Sequence, residues 1–300
     1  MNFPLSYQIN TVCWDGKRIC ANDEKSINQA LERLKSCGIN EVMLSGYHEE
    51  KPSDFDLNAE TVRIGKKLSA YGMKAAQHHG VLPTFAPLGE NQSEVVNRII
   101  RQLEFTANLN ADVLVVHPGR IAGHHADVAS TNAMFQKEVE KHGVDEVIKV
   151  SAENLHLAGL AAEKLNVKFA LENIDGVEPL ADIDTLPRLI RAADSDSIGF
   201  CLDSGHAHRA GVSPVTWLEK LGDKLLTTHF HDNRGSRDEH MPPGFGTIPW
   251  IDVIQSLKEI GYKHTVNFES GPWPGMEARQ GYCCAIQFWR SCEYLAESKA

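Results

Sequence analysis

Short apolar runs and longer amphipathic stretches alternate along this chain from one end to the other. The short runs lie at residues 5–12, 40–45, 73–79, 113–117, 167–172, 198–203, 225–231 and 265–269, and they read as strands. Between them, apolar residues recur every three or four positions at 24–37, 59–71, 93–109, 145–165, 182–192, 214–221 and 250–260. That is the period of a helix buried along one face. A last helix is expected over about 276–296. Boundary chemistry agrees: Asn22/Asp23 and Asp182 stand where helices should begin, and Gly38, Gly72 and Gly261 where they should stop.

Eight strand–helix units in 300 residues, with no linker rich in Gly, Ser or Pro, predict a single-domain (β/α)8 TIM barrel spanning 1–300. The competing architecture is an open doubly wound sheet, but no Gly-rich phosphate fingerprint follows the first strand. The longest stretch without an assigned element, 120–144, follows the fourth strand. Its Gly-His124-His125-Ala-Asp sequence reads as a solvated loop or lid over the barrel's C-terminal face, within reach of substrate.

Composition narrows the class. A hydrophobic content of 42% supplies a large core, while a net charge of −10 and a pI near 5.8 disfavour nucleic acid and anionic membranes as partners. Seven cysteines, unpaired in spacing apart from Cys283-Cys284, suggest buried thiols in a reducing compartment. The start, Met-Asn-Phe-Pro-Leu-Ser-Tyr, has no secretory pattern, and no run reaches membrane-spanning length. A soluble cytoplasmic protein is expected.

The chemistry gathers at the predicted strand ends. The third strand closes on His78-His79, the fourth on His117, the fifth on Glu172-Asn173 and the sixth on Asp203. The seventh closes on His229 and His231, and the eighth on Glu269. In a (β/α)8 barrel this is the rim where sites are assembled. Six successive strands delivering His, Asp or Glu to one mouth would leave costly unpaired polar groups there unless a cation held them. Glu172, Asp203, His229 and Glu269 come from four successive strands and can share one ion. Three carboxylates and an imidazole suit Mn, Mg, Co or Zn. His206, Asp238 and His240 form a second group, for substrate or a further metal, and His79 (or His78) with His117 a third. His78 and His79 must point to opposite faces, and the position just before Gly80 favours His79.

The motifs Leu-Glu172-Asn, Cys-Leu-Asp203-Ser-Gly-His206, His229-Phe-His-Asp232 and Asp238-Glu-His240-Met-Pro-Pro-Gly-Phe-Gly-Thr-Ile-Pro-Trp250 resemble those of the xylose-isomerase-like TIM-barrel superfamily. That superfamily includes sugar phosphate isomerases/epimerases and class II apurinic/apyrimidinic endonucleases. The motifs run from the third strand to the eighth, so the resemblance spans essentially the whole chain. For the isomerase branch it implies one Mn²⁺-like ion on Glu172, Asp203, His229 and Glu269. The two glutamates would move protons on and off carbon, and His206 and Arg234 would hold substrate hydroxyls. For the endonuclease branch it implies three Zn²⁺ ions on nine positions: His79, His117, Glu172, Asp203, His206, His229, Asp238, His240 and Glu269.

The loops at 47–56 and 174–179 read as acidic and would repel a phosphate backbone. Trp14, Tyr47, Phe85, Trp250 and Trp273 suit either stacking on a sugar ring or packing of the rim. The expectation is therefore a metal-dependent isomerase or epimerase acting on a small sugar or keto-sugar, phosphorylated or not, through an enediolate. The alternatives are an endonuclease-like phosphodiesterase, a keto-sugar lyase or dehydratase with the same metal site, and a non-catalytic sugar-binding barrel. Exposed barrel faces and the cysteine-bearing last helix leave room for a homodimer.

Overall fold

The computed structural model describes residues 2–49, 51–122, 128–174, 178–271 and 275–298. The chain opens with strand β1 (Leu5–Ile9), a hairpin of β2 (Val12–Trp14) and β3 (Ile19–Ala21), helix α1 (Glu24–Ser36), β4 (Glu41–Ser45) and α2 (Leu57–Ala70). There follow β5 (Lys74–His79), α3 (Gln92–Asn108), β6 (Val113–Val116), α4 (Val128–His142), α5 (Val144–Leu165) and β7 (Lys168–Glu172). The last part holds α6 (Leu186–Ala192), β8 (Ile198–Asp203), α7 (Ser204–Arg209), α8 (Pro214–Leu221), β9 (Leu225–His229), α9 (Trp250–Glu259), β10 (Val266–Phe268) and α10 (Ala278–Ser298).

Eight parallel strands pair in the order β10-β1-β4-β5-β6-β7-β8-β9. Phe230 N–H donates to Asn267 O at 2.8 Å and Glu269 N–H to Phe230 O at 3.1 Å, which joins the end of β9 to β10 and closes the ring. The fold is a single-domain TIM barrel. Its helices form for local reasons. The Asp23 carboxylate accepts from Lys25 N–H and Ser26 N–H to cap α1, which buries Ile27, Leu31 and Leu34, one stripe of a 3.6-residue period. Gly38, past the end of α1, takes φ +79°, a left-handed turn that glycine adopts without steric cost. Burial of those three side chains contributes roughly 1.5–3 kcal/mol each.

The main core lies between strands and helices, with Leu31, Ile64, Leu103, Leu155 and Leu257 fully buried. Inside the barrel sits a smaller apolar cluster of Val113, Val115, Ala170 and Cys201. It adjoins a buried polar layer in which Thr227 Oγ1 donates to Gln77 Oε1 at 2.8 Å, Asn267 Nδ2 donates to Thr227 Oγ1 at 2.8 Å, and Ser6 meets Asn267.

The structure departs from sequence expectation in its connections. Residues 120–144 are not one irregular segment, because they contain α4; His124 and His125 lie outside the described residues. The first strand ends at Ile9 and the chain then turns into the β2–β3 hairpin. Asp182 does not cap a helix beginning there. It accepts from Asp184 N–H at 2.8 Å and Thr185 N–H at 2.9 Å, shaping the turn before α6. The last helix runs two residues later at each end than the expected 276–296. Among the described residues no helix is long and apolar enough to cross a membrane.

Candidate metal centre

Strand parity sets the site. Side chains two apart share a face, so the barrel interior takes Gln77 and His79, Ala170 and Glu172, Cys201 and Asp203, and Thr227 and His229. His117 and Glu269 continue the same alternation just past β6 and β10. In each pair the second residue stands at the C-terminal mouth. His78 takes the other face, fully buried, with Nδ1 2.9 Å from Thr106 Oγ1 and its ring edge-on to Tyr47. Burial, then the neighbouring charges of His79 and His48, push its pKa down to about 3.

Glu172, Asp203, His229 and Glu269 each offer a ligand atom, all within 4.8 Å of one another. His229 Nδ1 lies 3.1 Å from Glu172 Oε1 and 3.0 Å from Glu269 Oε2. Glu172 and His229 are fully buried, yet neither carboxylate oxygen and neither ring nitrogen finds a well-aligned hydrogen bond among the described residues. Four such atoms converging without partners would cost several kcal/mol. They are the arrangement a cation would satisfy.

Electrostatics point the same way. Burial alone would raise both glutamates, but the facing His229 outweighs it and holds each carboxyl below its ordinary range, Glu172 well below. Burial alone would lower His229, but Cys201, Glu172 and Glu269 carry it well above its ordinary value. Without a metal, the chain balances its carboxylates with an imidazolium; coordination would release that proton.

Two further groups flank this one. On one side, His79 Nε2 lies 3.2 Å and His117 Nε2 3.6 Å from Glu172 Oε2. On the other, His206, His231, Asp238 and His240 converge. His206 Nδ1 is 3.1 Å from Asn173 O while its Nε2 faces Asp238 Oδ2 at 3.5 Å. His240 Nδ1 is 2.8 Å from Glu269 O, and its Nε2 is 3.0 Å from Asp238 Oδ2. In both rings one nitrogen is held by a backbone carbonyl and the other is aimed at the cluster, as metal-ligating histidines usually are. Burial opposes the charging of His206, but Asp203, Asp238 and Glu172 push its pKa up to about 12. Burial likewise opposes His240, which Asp238 and Glu269 bring up to about 9. His240 also carries φ +45°, a conformation that non-glycine residues rarely adopt.

All nine residues expected from the sequence thus meet at one mouth, in three abutting groups. Four others, of which His231 and Asp232 were noted at the seventh strand end, were not assigned to a ligand group there. His231, its Nε2 3.0 Å from Asp203 Oδ1 and its ring stacked on His240 at 4.1 Å, belongs to the second group. Its two-residue spacing from His229 was the available signal. Cys201, inward by the same parity as Asp203, can join Glu172 and His229. Burial, however, pushes its thiol up to about 12, which makes it a poor ligand. Glu178 read as one acid of a surface loop, but it is buried, with Oε1 3.3 Å from His117 Nδ1 and 3.9 Å from Arg120. Asp232 is fully buried and accepts from Gly244 N–H, Ile248 N–H and Trp250 Nε1. It anchors the loop that carries Asp238 and His240.

Several expectations shift. Arg234 pairs with Glu239 at 3.2 Å. Tyr47, Phe85 and Trp250 are buried in the rim, and Trp14 is exposed beneath Lys51. Trp273, Glu50 and residues 175–177 lie outside the described residues. The loop at 47–56 is less acidic than it reads, since Glu49 pairs with Arg101 and Asp54 with Arg18. A cavity of about 370 Å³ opens beside Glu269 and His240, with Gln8, Asn10, Ser270 and Tyr282 among its walls.

A closed parallel barrel whose C-terminal mouth is lined by His and carboxylate side chains puts the chain among the TIM barrels. The chain belongs to the xylose isomerase-like TIM barrel family, whose pattern matches residues 31–292. Its curated relatives include the uncharacterised protein MJ1311 of Methanocaldococcus jannaschii, 31% identical over 191 residues, covering 62% of this chain and 60% of that one. An inosose dehydratase of Lacticaseibacillus casei is 23% identical over 75% of this chain and 78% of its own length. A probable endonuclease 4 of Mycoplasma capricolum is 24% identical over 59% and 60%. The chain spans less than two thirds of MJ1311. Similar solved structures include an L-ribulose 3-epimerase, with TM-score 0.71 and 16% identity over 98% of this chain and 96% of that one. The IOLI protein, solved with a zinc atom, has TM-score 0.63 and 17% identity over 98% of both chains. At these identities the structural likeness speaks to the fold alone.

Proposed function

We propose that this chain is a divalent-metal-dependent isomerase or epimerase of a small keto-sugar. The observation that carries the reading is the convergence of Glu172 and Glu269 on one nitrogen, His229 Nδ1, at 3.1 and 3.0 Å, with Glu269 on the wall of a sugar-sized cavity. Glu172, Asp203, His229 and Glu269 would hold Mn, Mg, Co or Zn, which when bound supplies a Lewis acid for a carbonyl oxygen.

The rest of the chemistry belongs to the chain. Both glutamates are held ionised, so either can accept a proton from the carbon beside the carbonyl. The other glutamate then returns a proton there or at the neighbouring carbon. Gln8, Asn10, Ser270 and Tyr282 present amide and hydroxyl groups to the substrate's own hydroxyls. Epimerase and zinc-bearing relatives of the fold support the reading, and so does a net charge of −10, which disfavours a polyanionic substrate.

A second reading rests on the convergence of all nine positions in three groups, the set expected of a phosphodiesterase on abasic DNA. Two measurements separate the readings. Incubation in D₂O with a panel of ketoses and keto-inositols should exchange a substrate C–H for deuterium, and exchange with none of them would sink the first. If water is lost after exchange, the enzyme is a dehydratase with the same first step. About one ion per purified chain supports the isomerase, whereas about three zinc ions with cleavage of abasic DNA establishes the phosphodiesterase.

A further inference from the structure

Away from the mouth, two cysteines far apart in sequence meet. Cys37 caps the C-terminal end of α1, Cys283 lies in the second turn of α10, and their sulfurs are 3.2 Å apart across 246 residues of chain. Both are half-buried. The other thiols differ: Cys201 and Cys292 are buried, and Cys13 and Cys284 are exposed. Cys20 donates to Asp54 and Asp15. Arg279, one turn before Cys283, brings its guanidinium to Ser36 at 3.3 Å and so beside Cys37. Burial, then Cys283, raises the Cys37 pKa, while Ser36 and Arg279 pull it down. The proposed sugar chemistry uses neither thiol.

We propose that Cys37 and Cys283 are a site of reversible oxidative modification, a dithiol that a peroxide converts to an intramolecular disulfide. One thiol, as its thiolate, attacks a peroxide oxygen; the O–O bond breaks, a sulfenic acid forms and the first water leaves. The second sulfur attacks the sulfenic sulfur, the S–S bond forms and the second water leaves. Two electrons pass from the two sulfurs to the peroxide, and the two thiol protons end in the two waters. The sulfurs need close by only about 1 Å. The bond clamps the start of α10 to the end of α1. It also fixes the residue beside Tyr282, whose ring lies 4.7 Å from Tyr7 and lines the cavity at Glu269.

The test uses the full chain in a C284S background, because Cys284 is the immediate neighbour of Cys283. Protein is treated with hydrogen peroxide, the remaining thiols are alkylated, and the digest is mapped by mass spectrometry. A linked pair of peptides carrying Cys37 and Cys283 is expected, short of two hydrogens, lost on reduction with dithiothreitol and absent from C37S and C283S. Oxidised protein should also melt above reduced protein, a shift that C37S abolishes, because a link across so long a loop restricts the unfolded chain. Alkylation of both sulfurs after peroxide, arrest of either as a sulfinic acid, or an unchanged melting temperature of the linked form would overturn the assignment.

Discussion

Glu172 is the residue where the ligand groups meet. It is shared by the group with His79 and His117 and by the group with Asp203, His229 and Glu269, whereas Glu269 stands at the cavity wall. The two glutamates should therefore fail differently. Glu172→Gln should lower both metal content and deuterium exchange. Glu269→Gln should keep most of the metal and lose at least about a hundred-fold in exchange. Exchange that survives in metal-loaded Glu269→Gln would make Glu269 a ligand without a proton to move. His78 yields a pH prediction. Its folded pKa, about 3, lies below the ordinary 6.5, so the unfolded chain binds a proton that the fold does not. Stability is therefore intact above about pH 6.5 and falls as the pH drops toward 3, with a slope approaching about 1.4 kcal/mol per unit. A cation at the mouth would act in the same direction. Urea titrations across that range should show a flatter slope for His78→Gln, and an unchanged slope would refute the assignment.

At the scale of elements, what could be read from the sequence follows from geometry. A strand has a period of two and a known direction, so residues such as Glu172 and Asp203 at the ends of apolar runs fall at the barrel mouth by necessity. Connections obey no such rule, which is why α4 and the β2–β3 hairpin were not anticipated. It is also why Glu178 read only as part of an acidic loop when it in fact faces His117. Asp232 shows the same limit: in sequence it is one more carboxylate beside His231, whereas in the fold it is a hub. Its oxygens accept from Gly244 N–H at 2.9 Å, Ile248 N–H at 3.2 Å and Trp250 Nε1 at 2.8 Å. Asp232→Ala leaves the buried Ile248 N–H and Trp250 Nε1 unpaired, at about 1–3 kcal/mol each before relaxation. The variant should melt several degrees lower and lose the Asp238–His240 group, while the Glu172–Glu269 site, built on strands, keeps its ion. Metal analysis that found both sites equally affected would contradict a local anchoring role.

For the whole molecule, the mouth is where the fold gathers carboxylates and histidines that strand geometry, not salt-bridge design, brings together. Without a cation, their balance depends on protons: His206 is pushed to about 12 and His240 to about 9 by the carboxylates they face. Coordination needs neutral imidazoles, so binding must release protons, and protons must compete with metal. The sign follows. As pH falls, the histidines hold their protons more tightly against the metal, and metal affinity falls. As pH rises, it strengthens. Titration calorimetry with Mn²⁺ or Zn²⁺ in buffers of different ionisation enthalpy should show net proton release and an affinity that drops on acidification. An ion that binds the fold and not the unfolded chain would stabilise it, so under the proposed function chelation should also lower the melting temperature. At free metal one hundred times the dissociation constant the ion contributes about 2.7 kcal/mol. At about 2–4 °C per kcal/mol, that is a shift of several degrees in a chain of this size. Binding that releases no protons and keeps one affinity across pH would mean that the histidines at this mouth are structural counter-ions, and the proposed function would lose its metal.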